Sequence, residues 1–131
     1  MLHSVTVRDY MSAPLVTFSP DMDVLRAIHL LLENQITGAP VLDKLGNIVG
    51  YLSEKDCLQV AMDASYHEDW GGKVGELMTP EAMTVESDAS ILQVARIFRN
   101  TSIKSLPVMD ENRLVGRITR SDVLRAFEAI R

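Results

Sequence analysis

The sequence holds one cysteine, Cys57, in 131 residues, so it closes no internal disulfide and builds no cysteine-rich metal site. It has no cationic excess either: 13 Lys and Arg stand against 18 Asp and Glu, a formal net charge of −5. Duplex nucleic acid is thereby excluded as a general partner, because such binding depends on neutralising many phosphates. A small anion is not excluded, since a few basic groups can converge locally. Long hydrophobic runs are missing; the longest are a few residues, such as Leu30-Leu31-Leu32, and no membrane span is expected. Residues 1–9 show neither the basic nor the apolar region of a secretion signal, which reads as the mature start of a cytoplasmic protein. His3, His29 and His67 lie far apart, without carboxylate or cysteine partners at ligand spacing, so no metal is expected. There is no Ser-His-Asp or Cys-His arrangement, no Gly-rich phosphate loop and no carboxylate pair set for acid–base work. The expectation is a protein that is not an enzyme and requires no cofactor.

What the chain does contain is an ordinary globular composition, 47% hydrophobic and 24% charged, and an internal repeat. At a shift of 67 residues Val7 meets Val74, Met11 meets Met78, Thr17 meets Thr84, Asp21 meets Asp88 and Leu25 meets Leu92. Ile36 meets Ile103, Pro40-Val41 meets Pro107-Val108, and Asp43 meets Asp110. One residue is then lost in a turn. At a shift of 66, Val49-Gly50 meets Val115-Gly116, Ser53 meets Thr119, Asp56 meets Asp122 and Leu58 meets Leu124. A one-residue difference confined to a polar turn is what loops tolerate.

Each copy reads as β-α-β-β-α. In the first, Leu15-Val16-Thr17-Phe18 is a short strand, and a helix capped by Asp21 or Asp23 follows with Val24, Ala27, Ile28 and Leu31 on one stripe. The second copy repeats that stripe as Ile91, Val94, Ala95 and Phe98. A hairpin follows, through Pro40-Val41-Leu42, the turn at 43–47 and the strand 48–52. The last helix starts at Ser53 and is expected to turn Cys57, Leu58, Ala61 and Met62 inward; its counterpart starts at Thr119 with Val123, Leu124, Phe127 and Ile130. The β-α-β part should be a right-handed crossover between parallel strands, with the hairpin strand antiparallel. The expected organisation is a first repeat over 7–62, a connector over 63–73 with Trp70 as a packing anchor, and a second repeat over 74–130. One such repeat is too small to bury its sheet and helix stripe alone. The expected fold class is therefore α+β, two α/β-type repeats packed about a pseudo-twofold axis, with small three-stranded sheets flanked by helices.

The segment Gly50-Tyr51-Leu52-Ser53-Glu54-Lys55-Asp56 returns as Gly116-Arg117-Ile118-Thr119-Arg120-Ser121-Asp122. Each copy follows a strand-opening segment, Ile36-Thr37-Gly38-Ala39-Pro40-Val41 or Ile103-Lys104-Ser105-Leu106-Pro107-Val108. Together these resemble the signature of CBS domains, which occur in tandem as a Bateman module, and the resemblance covers residues 7 to 130. It implies a regulatory module that binds an adenosine nucleotide such as AMP, ADP or ATP in clefts between the repeats, forms a homodimer and signals to a protein target. Carried over residue by residue, one site uses Ser53 and Asp56 with Met83, Thr84, Ile103, Lys104 and Ser105. The other uses Thr119, Arg120 and Asp122 with Val16, Thr17, Ile36, Thr37 and Ala39.

The chemistry of those residue types agrees. An ionised Asp only accepts hydrogen bonds, so it can take both hydroxyl protons of a ribose diol. A helix N-terminus offers free N–H groups to a phosphate, and apolar Val16, Ile36 and Ile103 suit the faces of an adenine. Lys104, Lys55, Arg117 and Arg120 are candidate phosphate contacts and equally ordinary solvated charges. Glu54 adds negative charge to the first site, which makes the second, with Thr119 and Arg120, the better formed. Ser53-x-x-Asp56 and Thr119-x-x-Asp122 are also plain helix capping boxes, and Cys57, Met11, Met22, Met62, Met78 and Met83 read as packing residues. The competing function is a protein-interaction or dimerisation scaffold with no small ligand.

Overall fold

The computed structural model describes residues 1–13, 16–67 and 71–131. After a 3-10 turn at Val7–Asp9 come α1 (Val24–Glu33), β1 (Gly38–Leu42), β2 (Ile48–Ser53) and α2 (Glu54–His67). The second half runs α3 (Val74–Leu77), β3 (Val85–Glu86), α4 (Ile91–Asn100), β4 (Ser105–Asp110), β5 (Arg113–Thr119) and α5 (Arg120–Ile130). This is a mixed α/β fold with small sheets flanked by helices. β3 pairs parallel to β4 across the α4 crossover, and β4 pairs antiparallel with β5. β1 and β2 form the matching hairpin. The expected strand at 15–18 is reduced to a parallel bridge: the Phe18 amide donates to Pro40 O at 3.0 Å and Phe18 O accepts from Leu42 at 2.8 Å. Leu15 and Trp70, given roles above, lie outside the described residues.

Local sequence accounts for the element ends. Of the two candidates, Asp23 caps α1, accepting the Leu25 amide at 2.8 Å, and Ser90 caps α4 through the Gln93 amide at 3.1 Å. α1 stops where Gln35 takes a left-handed conformation, φ 54°, as a helix C-terminus commonly does. The lost residue sits in the hairpin turn. In the first repeat Asp43 Oδ1 accepts the amides of Leu45 and Asn47, each at 2.9 Å, and Gly46 takes φ 86°. The Asn47 amide foremost, with that of Leu45, holds the Asp43 carboxyl below its ordinary pKa against slight desolvation. In the second repeat Glu111 and Asn112, both with positive φ, close a two-residue turn between paired Asp110 and Arg113.

The chain divides into two compact units that do not follow the repeat boundaries. A central unit spans Val16–Ala82; a terminal unit joins the N-terminal arm to Met83–Arg131. Val7, completely buried, belongs to the terminal core with Val85, Ile91, Val94, Leu106, Val108 and Ile118. Its repeat mate Val74, also completely buried, belongs to the central core with Phe18, Val24, Leu31, Val41 and Leu52. The arm is tied by the Val7 amide to Ala89 O, the Arg8 amide to Ser87 O, and the Arg8 guanidinium to the buried Ser87 hydroxyl at 2.8 Å. In the central unit the Val74 and Gly75 amides bond Met22 O and Pro20 O.

These arms explain the glycine that begins each capping segment. The residues after Met11 and Met78 run against the last strand of their unit: Ser12 bridges Arg117 and Thr79 bridges Tyr51. A Cβ on Gly116 would stand 2.6 Å from Ser12 O, and one on Gly50 would stand 2.8 Å from Thr79 O and against the Met78 sulfur. Met11 and Met78 are packing residues as expected, each in the unit that its arm enters.

Two expectations are corrected. The inward residues of α2 are Val60 and Ala64, with Cys57 half-buried, while Leu58 and Met62 are 65% and 55% exposed and Ala61 is exposed too. On α5, Val123 and Ala126 are buried and Leu124 and Phe127 are 67% and 53% exposed. The sequence stripes of these helices are wide enough to hold two apolar faces, and the sheet takes only one. α2 also continues through residues 63–67, where a connector was expected.

Candidate ligand-binding site

Both expected capping boxes form. In the central unit Asp56 Oδ2 accepts the Ser53 amide at 2.9 Å and the Ser53 hydroxyl at 3.0 Å, while the Asp56 amide donates to Ser53 Oγ at 3.1 Å. In the terminal unit Asp122 Oδ2 accepts the Thr119 amide at 2.8 Å and its hydroxyl at 3.0 Å. The cap fixes each carboxylate at the edge of the last strand, where the helix N-terminus adds its free N–H groups.

Within each unit the cap stands beside the strand opening of its own repeat. Gly38 pairs with Ser53, and the Glu54 amide donates to Thr37 O at 2.9 Å. Ser105 pairs with Thr119, and Arg120 Nε donates to Ile103 O at 3.2 Å. The central unit holds Ser53 and Asp56 together with Val16, Thr17, Ile36, Thr37 and Ala39, residues that the carry-over from sequence sets beside Thr119 and Asp122 instead. The terminal unit gathers Thr119, Arg120 and Asp122 with Met83, Thr84, Ile103, Lys104 and Ser105.

The two sets are unequal. Ile36 and Ala39 are buried in the central core, so their side chains present no open apolar surface there. Val16 and Ile103 are partly buried and keep an apolar edge outward. Thr84 and Met83 are exposed, and Thr84 lines an open cavity of about 470 Å³ with Glu86, Asp88 and Ser90. That cavity carries two carboxylates and no cation, so it repels a phosphate. Arg120 differs from the expected phosphate contact. Its guanidinium donates to Ile103 O and, through Nη2, to Phe98 O at 3.4 Å and Thr101 O at 3.3 Å, closing the C-terminus of α4. Lys104 and Lys55 are exposed and make no ion pair among the described residues, so either is available to an anion.

Two residues were missed in the sequence. The Thr79 hydroxyl faces Asp56 at 3.4 and 3.5 Å from its two oxygens. Arg125 pairs with Asp122 Oδ1; its side chain is 61% exposed and that of Asp122 only 3%. The second was detectable as an acid–base pair three residues apart on a helix. The first depends on the arm entering the unit, which no local pattern reveals. Cys57, next to Asp56, has its thiol pushed up to about 11 by burial first and then by the charges of Asp56 and Glu54. Among the described residues no three His, Cys, Asp or Glu side chains gather at a metal-binding distance, and no helix is long and apolar enough to cross a membrane.

The sequence profile of the CBS domain matches twice, over residues 7–63 and 74–129. The chain belongs to the CBS domain family. Among relatives, the CBS domain-containing protein CBSX1, chloroplastic, of Arabidopsis thaliana is 33% identical over 92% of this chain, which spans 63% of that protein's length. The crystal structure of CBSX2 in complex with AMP is 34% identical with a TM-score of 0.83, covering 96% of this chain and 98% of that one. The CBS domain pair of protein MJ0100, in complex with 5-methylthioadenosine and S-adenosyl-L-methionine, is 26% identical with a TM-score of 0.79, covering 97% and 98%. The CBS repeat thus accounts for both halves of the chain, including the two arms.

Proposed function

We propose that this CBS pair is a regulatory module that binds an adenosine-type ligand such as AMP and catalyses no reaction. The observation that carries the reading is the duplicated Ser/Thr-x-x-Asp cap. It presents a fixed carboxylate beside free helix N–H groups and a strand opening whose backbone can read a base edge. The AMP held by CBSX2 and the two adenosine compounds held by MJ0100 support the ligand class. All site residues assigned from the sequence remain part of this proposal, with Lys104 and Lys55 as the available cations and Arg120 as a support for Ile103. In this reading the module works in the cytoplasm, where a lone thiol stays reduced, and hands its signal to a protein target by a ligand-dependent shift between two arrangements.

A second reading has its own observation. The exposed Leu58 and Met62 on α2, and Leu124 and Phe127 on α5, are apolar faces that a homodimer or a protein partner would cover. Thermal unfolding with AMP, ADP, ATP, S-adenosylmethionine, 5-methylthioadenosine and GTP separates the two. A ligand at about a hundred times its Kd adds roughly 2.7 kcal/mol and raises the midpoint by several degrees. A rise with adenosine compounds and none with GTP is expected. No rise with any compound at millimolar concentration would leave the scaffold reading in its place.

A further inference from the structure

The two arms are seated differently. The Arg8 amide bonds Ser87 O in the terminal unit, and the Gly75 amide bonds Pro20 O at the matching place in the central unit. Side chains reinforce the first: Arg8 donates to the buried Ser87 hydroxyl at 2.8 Å and pairs with Asp110 at 3.8 Å. At the second, Gly75 has no side chain, Pro20 has no hydroxyl, and Asp43, the mate of Asp110, is engaged in its own turn. Beyond the buried Val74 the central arm ends in two backbone bonds. The Tyr51 amide donates to Thr79 O at 2.8 Å, and the Thr79 amide donates to Tyr51 O at 2.9 Å. The side chain of that last paired residue is the one that faces Asp56.

We propose that Thr79 competes with ligand for Asp56, so that occupancy of the central site loosens the arm at 73–79. The inference rests on the adenosine-ligand reading above and adds a route from that site to the other half of the chain. Asp56 Oδ2 already accepts the Ser53 amide and hydroxyl, whereas Oδ1 meets the Thr79 hydroxyl at 3.4 Å, a weak bond. A ligand hydroxyl entering at about 2.5–2.7 Å, the usual length to a carboxylate, weakens that contact, because both donors draw on the same oxygen. The arm then loses a side-chain tie beside its last backbone pair. After Thr79 the chain runs through Pro80, Glu81 and Ala82 and enters the terminal unit at Met83. Pro80 keeps the residue before it extended, so a shift of Thr79 is passed along a stiff link. The terminal unit lacks this coupling. Ser12, the mate of Thr79, bridges Arg117 in the same way, but the second oxygen of Asp122 is taken by Arg125 of α5 and not by the arm. Linkage makes the effect reciprocal: the factor by which ligand favours the loosened arm is the factor by which a loosened arm favours ligand.

Amide hydrogen exchange on the whole chain, read by NMR with AMP as the probe, tests the coupling. Thr79→Val keeps the side-chain shape and drops the hydroxyl. Without ligand it should speed exchange of the Tyr51 amide about two- to threefold, the scale of one weak hydrogen bond. In the wild-type chain, saturating AMP should speed the Tyr51 and Thr79 amides by a similar factor and leave those of Ser12 and Arg117 as they were. Thr79→Val should bind AMP about two- to threefold more tightly, Thr79→Ser should match the wild type, and Ser12→Ala should change neither affinity nor the Tyr51 amide. A Tyr51 amide equally slow in wild type and Thr79→Val would overturn the coupling, as would AMP that binds without speeding it. The absence of any thermal shift with AMP would instead remove the ligand reading, and the ligand-free comparison would still report whether Thr79 holds the arm.

Discussion

Asp56 and Asp122 hold the same place in their repeats, and Oδ2 of each accepts the amide and hydroxyl of its own cap. Their surroundings differ. Asp56 is half-buried and, among the described residues, otherwise meets the Thr79 hydroxyl at the long end of hydrogen-bond range. Asp122 is buried, and its second oxygen is taken by Arg125. Position 59, which matches Arg125 in the first repeat, is Gln and bonds Asp63 instead. The motif fixes where the carboxylate sits; residues outside the motif decide how many of its oxygens stay free for the ligand proposed above. On this ground the central unit offers the freer acceptor, the reverse of the order drawn from Arg120 and Glu54 in the sequence.

The largest effect expected on this comparison is structural. Gly116→Ala should cost about 2–3 kcal/mol in chemical denaturation, because the new methyl meets a backbone oxygen held in a bridge. Gly50→Ala should cost less, since part of its clash is with the flexible Met78 side chain; equal costs would mean that the arms are seated alike. Next, Asp122→Ala should lower stability by about 2 kcal/mol and Asp56→Ala by about 1 kcal/mol, as loss of a buried and of a half-exposed cap. Calorimetric titration with AMP should show the opposite order. Asp56→Ala is expected to weaken binding about tenfold and Asp122→Ala less, and a larger loss at Asp122 would mean that ligand displaces Arg125 readily. Arg125→Gln frees one oxygen of Asp122, so affinity should rise about two- to threefold, the scale of an exposed ion pair; an unchanged value would remove Arg125 from the argument.

The smallest effect concerns Cys57. With its thiol at about 11, alkylation near pH 8 should run at roughly a thousandth of the thiolate rate and climb with pH. The folded chain keeps this proton where the unfolded chain, near 9.0, gives it up, so this thiol's contribution to stability falls as pH rises from 9.0 toward 11. Asp56→Asn removes one of the two charges that raise the thiol and should speed alkylation, which reads the field of that carboxylate directly.

Most of the fold was legible because the repeat displays its periodicities twice. The stripes of α1 and α4, the hairpins and both caps follow from positions that coincide at shifts of 67 and 66. The destination of the arms was not legible. Val7 and Val74 look alike in sequence, and nothing local says that each is buried with the strands of the other repeat. For the same reason Thr79 escaped notice as a neighbour of Asp56. The outward turn of Leu58, Met62, Leu124 and Phe127 was misread because an apolar helix residue serves a core and an open face equally well. Arg120 was assigned by charge, and its use as a cap for α4 depends on Phe98, Thr101 and Ile103 arriving together.

The traded arms bear on how a chain of this kind could come into being. A single repeat made alone would own an arm with no core to enter and a core lacking its Val7 or Val74. Two copies of it would complete each other by exchange, each lending the other its first turn. Joining the genes for such a pair end to end requires no new contact and no reopening of a finished core. Joining two self-contained copies would require both to give up an arm that they had already placed. The present packing is therefore one that two separate single-repeat chains would also reach by exchanging their first turns.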